Sequence, residues 1–298
     1  MEADGGPVQG PDRGQIHVSV RLALSVLRQQ RLNVNSVALS TFHRPKELDH
    51  TLGTLLSVYI PSLYEIVVVW NNLDQEPPED FISSHGVPVR YRVPSRDSLN
   101  EKLRPDPTYR TKAILLSDDD VYYRQSDLDY VFQMWRQFGQ DRLVGALARC
   151  ASLDRRGQWQ YHFCHRGEGA GAYSIVLTNL AFAHIGFLDY YFSDAPEAVS
   201  VRDHVDAQFN CEDIGLNTLA SMLTRRGPLL VRGSEQWVNL SPPSGISRNP
   251  HHLETRSACL NRFAEAIGCM PLVDEMGRVE RGYKHNVWYK SFWDRLGT

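Results

Sequence analysis

Three runs of aliphatic residues constrain this chain more than anything else in it: NSVALSTF from Asn35, EIVVVWNN from Glu65 and KAILLSDDD from Lys112. Each is apolar at consecutive rather than alternate positions, which is the pattern of a strand covered on both faces in a parallel sheet. Each also stops abruptly in polar residues: Thr41 to Arg44, Asn71 and Asn72, and Asp118 to Asp120. Between the first two runs lies PKELDHTLGTLLSVY, with Leu48, Leu52, Leu55 and Leu56 at helical spacing and Pro45 at its start. Strand, helix and strand in such close succession make a βαβ unit. Open α/β sheets bind ligands beyond the carboxyl ends of their strands, so the three polar exits are expected to share one cleft.

The pattern continues along the chain. VPVRYRV reads as a short strand, SLNEKLRP as a short helix, and SDLDYVFQMWRQF as a helix capped by Ser126. RLVGALAR, WQYHFC and AYSIVLT read as strands, whereas EDIGLNTLASML and ETRSACLNRFAEAI read as helices. Ahead of them, VSVRLALSVLRQQ from Val18 to Gln30 has helical spacing, and residues 1–14 read as disordered. No repeat or low-complexity linker divides the chain. The expectation is one α/β domain over 33–298 behind a disordered or helical extension over 1–32. Within the domain, 33–123 forms the nucleotide-type half and 124–298 a mixed second half.

Composition narrows the function. The formal net charge of −3 argues against a nucleic-acid partner, which calls for a basic excess. No apolar run reaches the roughly 18 residues a membrane span needs. The opening MEADGGPVQGPDRG is acidic and rich in Gly and Pro, unlike a signal peptide, so the sequence reads either as cytosolic or as a catalytic domain without its targeting segment. Five cysteines without a CxxC pair disfavour a structural zinc site and allow at most two disulfides.

Asp118-Asp119-Asp120 is the most informative motif. Adjacent carboxylates repel, and two placed two residues apart suit a hard divalent cation, Mn²⁺ or Mg²⁺, that also takes phosphate oxygens. The alternative is a solvated acidic turn or helix cap. The chain contains no GxxxxGK[ST], GxSxG or HExxH, which disfavours P-loop enzymes, α/β-hydrolases and zincins. Sugar transfer from a nucleotide sugar is the natural remaining chemistry. There a cation stabilises the departing diphosphate.

STFHRP, IVVVWNN, SLNEKL, AILLSDDDV, YSIVLT, NCEDIGLN, SGIS and RSACLN…MPL come in the order seen in glycosyltransferase family 64, the exostosin-type enzymes, which this chain resembles from about Asn35 to Leu272. The resemblance implies a GT-A fold, a Rossmann-like nucleotide-binding sheet with a mixed acceptor half. It also implies a Mn²⁺-dependent retaining hexosyltransferase. By this likeness Thr41 and Arg44 line the nucleotide, Asn72 meets the base or ribose, Asp118 and Asp120 hold Mn²⁺, and Asp118 and Asp119 contact the donor. Asp213 is the catalytic carboxylate, with Glu212 a lesser candidate, and Arg256 supports the leaving group. Asp213 also has a plainer reading as a carboxylate favoured at a helix N-terminus.

The resemblance further implies a Cys211–Cys259 disulfide and hence an oxidising lumen, Golgi or endoplasmic reticulum, with a membrane anchor outside this sequence. Asn239-Leu240-Ser241, followed by Pro242, fits a glycosylation acceptor pattern and points the same way. The expected donor is UDP-GlcNAc or UDP-GalNAc, with GDP-mannose second. The expected acceptor is a glycan of heparan-sulfate or linkage type, or a glycolipid such as glycosylinositol phosphorylceramide. A homodimer or a partner glycosyltransferase is the expected assembly.

The chain departs from the family at three points. Asp97 stands where asparagine is usual, Lys102 where arginine is usual, and His43 where asparagine is common. Lysine keeps the charge but loses the bidentate fork. An aspartate beside a phosphate is unfavourable, so Asp97 is expected to face ribose or base, or to shift donor preference. YHFCHRGEGAGAYS reads as an acceptor-side loop. Two readings of other classes compete: an inactive sugar-binding scaffold, which intact Asp118, Asp120 and Asp213 oppose, and a nucleotidyltransferase, for which STFHRP lacks the glycine loop.

Overall fold

The computed structural model describes residues 31–164, 171–242 and 245–282. The helix expected over Val18–Gln30 and part of the Gly-rich acceptor-side loop lie outside the described residues.

The apolar runs become the strands their patterning demands. In chain order the strands are β1 (Arg31–Thr41), β2 (Leu63–Trp70), β3 (Phe81–Ile82), β4 (Pro88–Arg92), β5 (Thr111–Asp118), β6 (Val121–Tyr122), β7 (Val144–Gly145), β8 (Ala148–Leu153), β9 (Trp159–His162), β10 (Ile175–Val176), β11 (Leu180–His184), β12 (Leu229–Arg232), β13 (Val238–Asn239) and β14 (Arg278–Glu280). The helices are α1 (Pro45–Leu55), α2 (Gln125–Phe138), α3 (Ile185–Tyr191), α4 (Pro196–Gln208), α5 (Glu212–Thr224) and α6 (His252–Ile267).

A nine-stranded sheet runs in the order β14-β12-β7-β11-β5-β1-β2-β4-β3. Strands β5, β1, β2 and β4 are parallel neighbours, while β11 runs antiparallel between β5 and β7. The mixed sheet spans both proposed halves, so the chain is one domain. Alternation along each central strand divides the core in two. Val37, Leu39, Val68 and Leu115 face α1 and α2. Ala38, Val67, Ile114 and Leu116 face a second layer made by α3 to α6. This helix–sheet–helix sandwich with a mixed edge is the expected GT-A architecture.

Register sets the site. Ser40 on β1 pairs with Asp118 on β5, and Thr41 pairs with Trp70 on β2, so the three polar exits emerge side by side. The chain leaves β5 under tight control: the Asp118 amide donates to Asn179 O (3.2 Å) and the Asp119 amide to Ser40 O (3.1 Å).

Several local expectations need correction. Ser126 does not cap α2, which starts at Gln125 after Arg124 without a side-chain cap bond. Asp127 takes the structural role, accepting from the Ser234 and Glu235 amides and from Arg281. SLNEKL forms one 3₁₀ turn, Leu99–Leu103, capped by Ser98. AYSIVLT keeps only two strand residues, Ile175 and Val176, and Asn217 on α5 pairs with both backbone groups of Val176. RLVGALAR splits into β7 and β8.

Candidate active site

The polar exits and the second helical layer enclose a cleft of about 1080 Å³. Thr41, Arg44, Asp97, Lys102, Asp118, Asp119, Asp120, Asp213 and Arg256 all stand on its wall. Asn72 does not. Its Nδ2 donates to Gln75 Oε1 at 3.0 Å, whereas Asn71 lines the cleft and donates to Ser40 Oγ at 3.0 Å. Where the chain leaves β2 the two side chains point differently, and the sequence offered no way to choose between adjacent asparagines.

The three adjacent carboxylates are neutralised from two sides. Arg44 reaches Asp119 at 3.3 Å and Asp120 at 3.1 Å, and Lys102 Nζ donates to Asp118 Oδ1 at 2.6 Å. Asp119 is the buried member, and its second oxygen accepts from the Thr41 hydroxyl at 2.7 Å. Burial, reinforced by Asp118 and Asp120, pushes the Asp119 carboxyl up to about 7 against the pull of Thr41 and Arg44. Asp119 therefore braces the first strand, and the sugar contact expected of it would have to share oxygens already bonded to Thr41 and Arg44. Thr41 likewise turns its hydroxyl to Asp119.

Asp118 and Asp120 are the more accessible pair, with side-chain exposures of 34% and 17%. Burial and then the Asp118 charge raise the Asp120 carboxyl above its ordinary value, against the opposing pull of Arg44 and Lys102. Among the described residues no group of three or more His, Cys, Asp or Glu side chains forms a metal cage. Two hard carboxylate oxygens open to the cleft nevertheless fit Mg²⁺ or Mn²⁺, which completes its shell with water and substrate phosphate rather than protein.

Lys102 joins this cluster to the other side. It lies fully within the protein, 2.6 Å from Asp118 and 3.8 Å from Glu212. Burial works to lower its pKa, but Asp118, Glu212 and Asp213 outweigh that and hold it above the usual lysine value. Glu212 accepts from Thr178 Oγ1 at 3.2 Å, and burial followed by the Asp213 charge raises its carboxyl.

Asp213 and Arg256 form a buried ion pair, 3% and 5% exposed. Asp213 Oδ2 accepts from the guanidinium, and Oδ1 accepts from the Ile214 amide at 2.7 Å. The helix-terminus reading of Asp213 is thus true of one oxygen and leaves the other for Arg256. Arg256 also donates to Asn210 Oδ1 at 3.2 Å and lies over the Tyr161 ring at 4.4 Å, while its buried Nε–H has no partner. A buried donor without a partner is uncommon and marks a place where a ligand oxygen would be welcome.

Backbone and covalent devices hold the pair in place. Phe209 and Cys211 both sit in the left-handed region, at φ 48° and 78°, and turn the chain from α4 into α5. Gly215 lets α5 pack against α4, since a Cβ there would lie 2.5 Å from Val201 Cγ1. Cys211–Cys259 is bonded and buried, tying the segment with Asp213 to the helix with Arg256. A second bridge, Cys150–Cys164, joins β8 to the end of β9, and Cys269 is free and exposed.

Sequence reasoning placed Asn71 among the polar exits without giving it the contact assigned to Asn72, and it missed Asn210, Tyr161 and the second disulfide. Asn210 is the first residue of the NCED motif, which was a usable signal; Tyr161 reaches Arg256 only through the packing of β9 on α6. The Asn239-Leu240-Ser241 pattern folds into a local turn: Asn239 Oδ1 accepts from the Ser241 amide and hydroxyl at 2.7 and 3.0 Å, and both residues stand on the cleft wall.

The profile of the glycosyl transferase family 64 domain matches residues 36–283. The chain is similar to human exostosin-2, 32% identical over 260 residues, covering 86% of this chain and 35% of that protein. It is similar to the Arabidopsis thaliana glucosamine inositolphosphorylceramide transferase 1, 36% identical over 236 residues, covering 76% of this chain and 29% of that protein. The chain therefore spans about a third of the length of these relatives. Among solved structures, GalNAc-T7 with UDP, GalNAc and Mn²⁺ superposes at a TM-score of 0.45 and 12% identity, covering 72% of this chain and 50% of that one. So loose a superposition carries no functional inference.

Proposed function

The chain belongs to glycosyltransferase family 64, and on that premise we propose that it transfers a sugar, an N-acetylhexosamine or hexose, from a nucleoside diphosphate sugar to an acceptor hydroxyl with retention of configuration. One observation carries this reading: inside one cleft, Lys102 bridges Asp118, of an Asp118/Asp120 pair suited to a divalent cation, and Glu212, the chain neighbour of Asp213 in the buried Asp213–Arg256 pair.

When bound, Mn²⁺ or Mg²⁺ at Asp118 and Asp120 would screen the charge that builds on the leaving diphosphate. Arg44 and Lys102 add fixed positive charge on either side of that position, and both would exchange a carboxylate partner for phosphate oxygens as the donor binds. Arg256, on the opposite wall, adds a further buried positive charge whose Nε–H has no partner. Asp213 faces the developing positive charge of the sugar. Its oxygens are held by Arg256 and by the Ile214 amide, an arrangement better suited to electrostatic stabilisation than to nucleophilic attack. This favours entry of the acceptor on the face the diphosphate leaves, with a phosphate oxygen taking the acceptor proton, over the double displacement of retaining glycosidases.

The acceptor is proposed to be a glycan or a glycolipid headgroup, the latter supported by the plant relative, whose name specifies inositolphosphorylceramide. Two disulfides support an oxidising lumen as the compartment. No helix among the described residues is long and apolar enough to cross a membrane. Hydrolysis of nucleotide sugars by the purified chain tests the reading. Slow release of free sugar from one donor, abolished by EDTA and restored by Mn²⁺, is the expected result. Absence of any Mn²⁺-dependent binding or hydrolysis would favour the scaffold reading instead.

A further inference from the structure

The cleft has two arms around a charged centre. Arg44, Lys102 and the Asp118/Asp120 pair mark the centre, and Asp213 with Arg256 marks one arm. The other arm lies beyond the carboxyl ends of β1, β2 and β4 and is lined by His43, Asn71 and Asp97. A diphosphate belongs beside the cations and the sugar beside Asp213, which leaves the nucleoside to the arm of Asp97. A carboxylate would repel phosphate there but not an uncharged base.

Asp97 is built to present its carboxylate. The residues on both sides are pinned by one partner: Arg96 and Ser98 each donate to a carboxylate oxygen of Asp206 on α4. Ser98 also accepts from the Asn100 amide at 3.1 Å, which fixes the turn. Asp97 itself is exposed to the cleft and makes no hydrogen bond among the described residues; partial burial raises its carboxyl above the ordinary value, against the smaller opposing pull of His43.

A carboxylate is acceptor-only, and its two oxygens match two N–H groups side by side. Guanine offers that edge, with N1–H beside the 2-amino group. Uracil offers one N–H flanked by two carbonyls, one of which would oppose the second carboxylate oxygen. Adenine and cytosine pair an amino group with a ring acceptor. An asparagine at this position would serve uracil, with one acceptor and one donor, so the change from asparagine to aspartate alters which base is welcome.

We infer that Asp97 reads the nucleobase and selects guanosine diphosphate sugars over their uridine counterparts. The inference rests on the glycosyltransferase reading and favours the second of the two donors expected from sequence over the first.

Calorimetric titration in the presence of Mn²⁺ with the diphosphates of guanosine, uridine, inosine and xanthosine tests it on the whole chain. The wild type binds GDP at least about tenfold more tightly than UDP, with IDP, which lacks the 2-amino donor, in between. Asp97→Asn weakens GDP by about tenfold or more and gains affinity for XDP, whose 2-carbonyl accepts from the new amide. Thermal unfolding without nucleotide stays unchanged in the variant, because Asp97 is exposed and unbonded. UDP binding more tightly than GDP to the wild type would overturn the inference while leaving the transferase reading standing, as would an Asp97→Asn variant with the same GDP-to-UDP ratio. Binding of none of the diphosphates would remove the transferase reading and this inference with it.

Discussion

The two walls of the cleft are held by different means. On the first, side chains hang from the ends of parallel strands, and the sheet register alone brings Thr41, Asn71 and Asp118 together. On the second, Asp213 and Arg256 sit on separate helices, joined by a buried ion pair, two left-handed residues and a disulfide. The first wall is positioned by backbone hydrogen bonds that every parallel sheet makes. The second depends on individual side chains, so single substitutions should damage it far more.

The sharpest way to break that comparison is at Arg256. Arg256→Ala leaves the buried Asp213 charge without its partner, a change expected to cost about 3–5 kcal/mol of stability. Urea unfolding would measure it, and the matching Thr41→Val on the first wall should cost far less than that. If the two variants unfold alike, the second wall is not the dependent one.

The disulfides sharpen the comparison next. Cys211–Cys259 closes 48 residues and Cys150–Cys164 closes 14. Chain entropy then predicts stabilisation of about 4 kcal/mol for the first and about 3 kcal/mol for the second. Unfolding of the paired Cys→Ser variants compares them, and the expected order is larger loss at Cys211–Cys259. That variant alone should also lower transfer, because it loosens the Asp213 segment against α6.

A smaller effect belongs to neither wall. His184 precedes α3, accepts from the Gly186 amide at 3.0 Å and stacks beside Trp135, and burial followed by Lys112 lowers its pKa to about 4. Unfolded, it titrates near 6.5, so between 6.5 and 4 the unfolded chain binds more protons. Stability should fall as pH drops through that window, by about 2–3 kcal/mol in all. His184→Asn keeps the capping acceptor without titrating, and denaturation between pH 7 and pH 4 should show a flatter loss. An unchanged slope would place the acid sensitivity elsewhere.

The same contrast governs what the sequence makes legible. Continuous apolar runs with polar exits require parallel strands and a ligand beyond their ends, so β1, β2, β5 and the aspartate cluster follow from composition and spacing alone. Local chemistry is less well encoded. Nothing in NN says that Asn71 rather than Asn72 faces the cleft, and nothing in SDLD says that Asp127 rather than Ser126 does the anchoring. Helix α4 was invisible because its apolar residues follow no clear stripe. Asp213 and Arg256 stand out only through family resemblance, since their pairing joins segments 43 residues apart in sequence through tertiary packing. Cys150–Cys164 had no signal beyond parity: five cysteines allow two bridges without naming them.

The central claim is that one wall holds the nucleotide diphosphate and the other performs the transfer. The most direct test is to measure Mn²⁺-dependent nucleotide binding and donor hydrolysis in Asp118→Asn and Asp213→Asn beside the wild type. Asp118→Asn should lose Mn²⁺-dependent binding, whereas Asp213→Asn should keep binding within about threefold and lose hydrolysis by on the order of 10²–10³-fold. Hydrolysis at the wild-type rate in Asp213→Asn, or full Mn²⁺-dependent binding in Asp118→Asn, would contradict that division of labour.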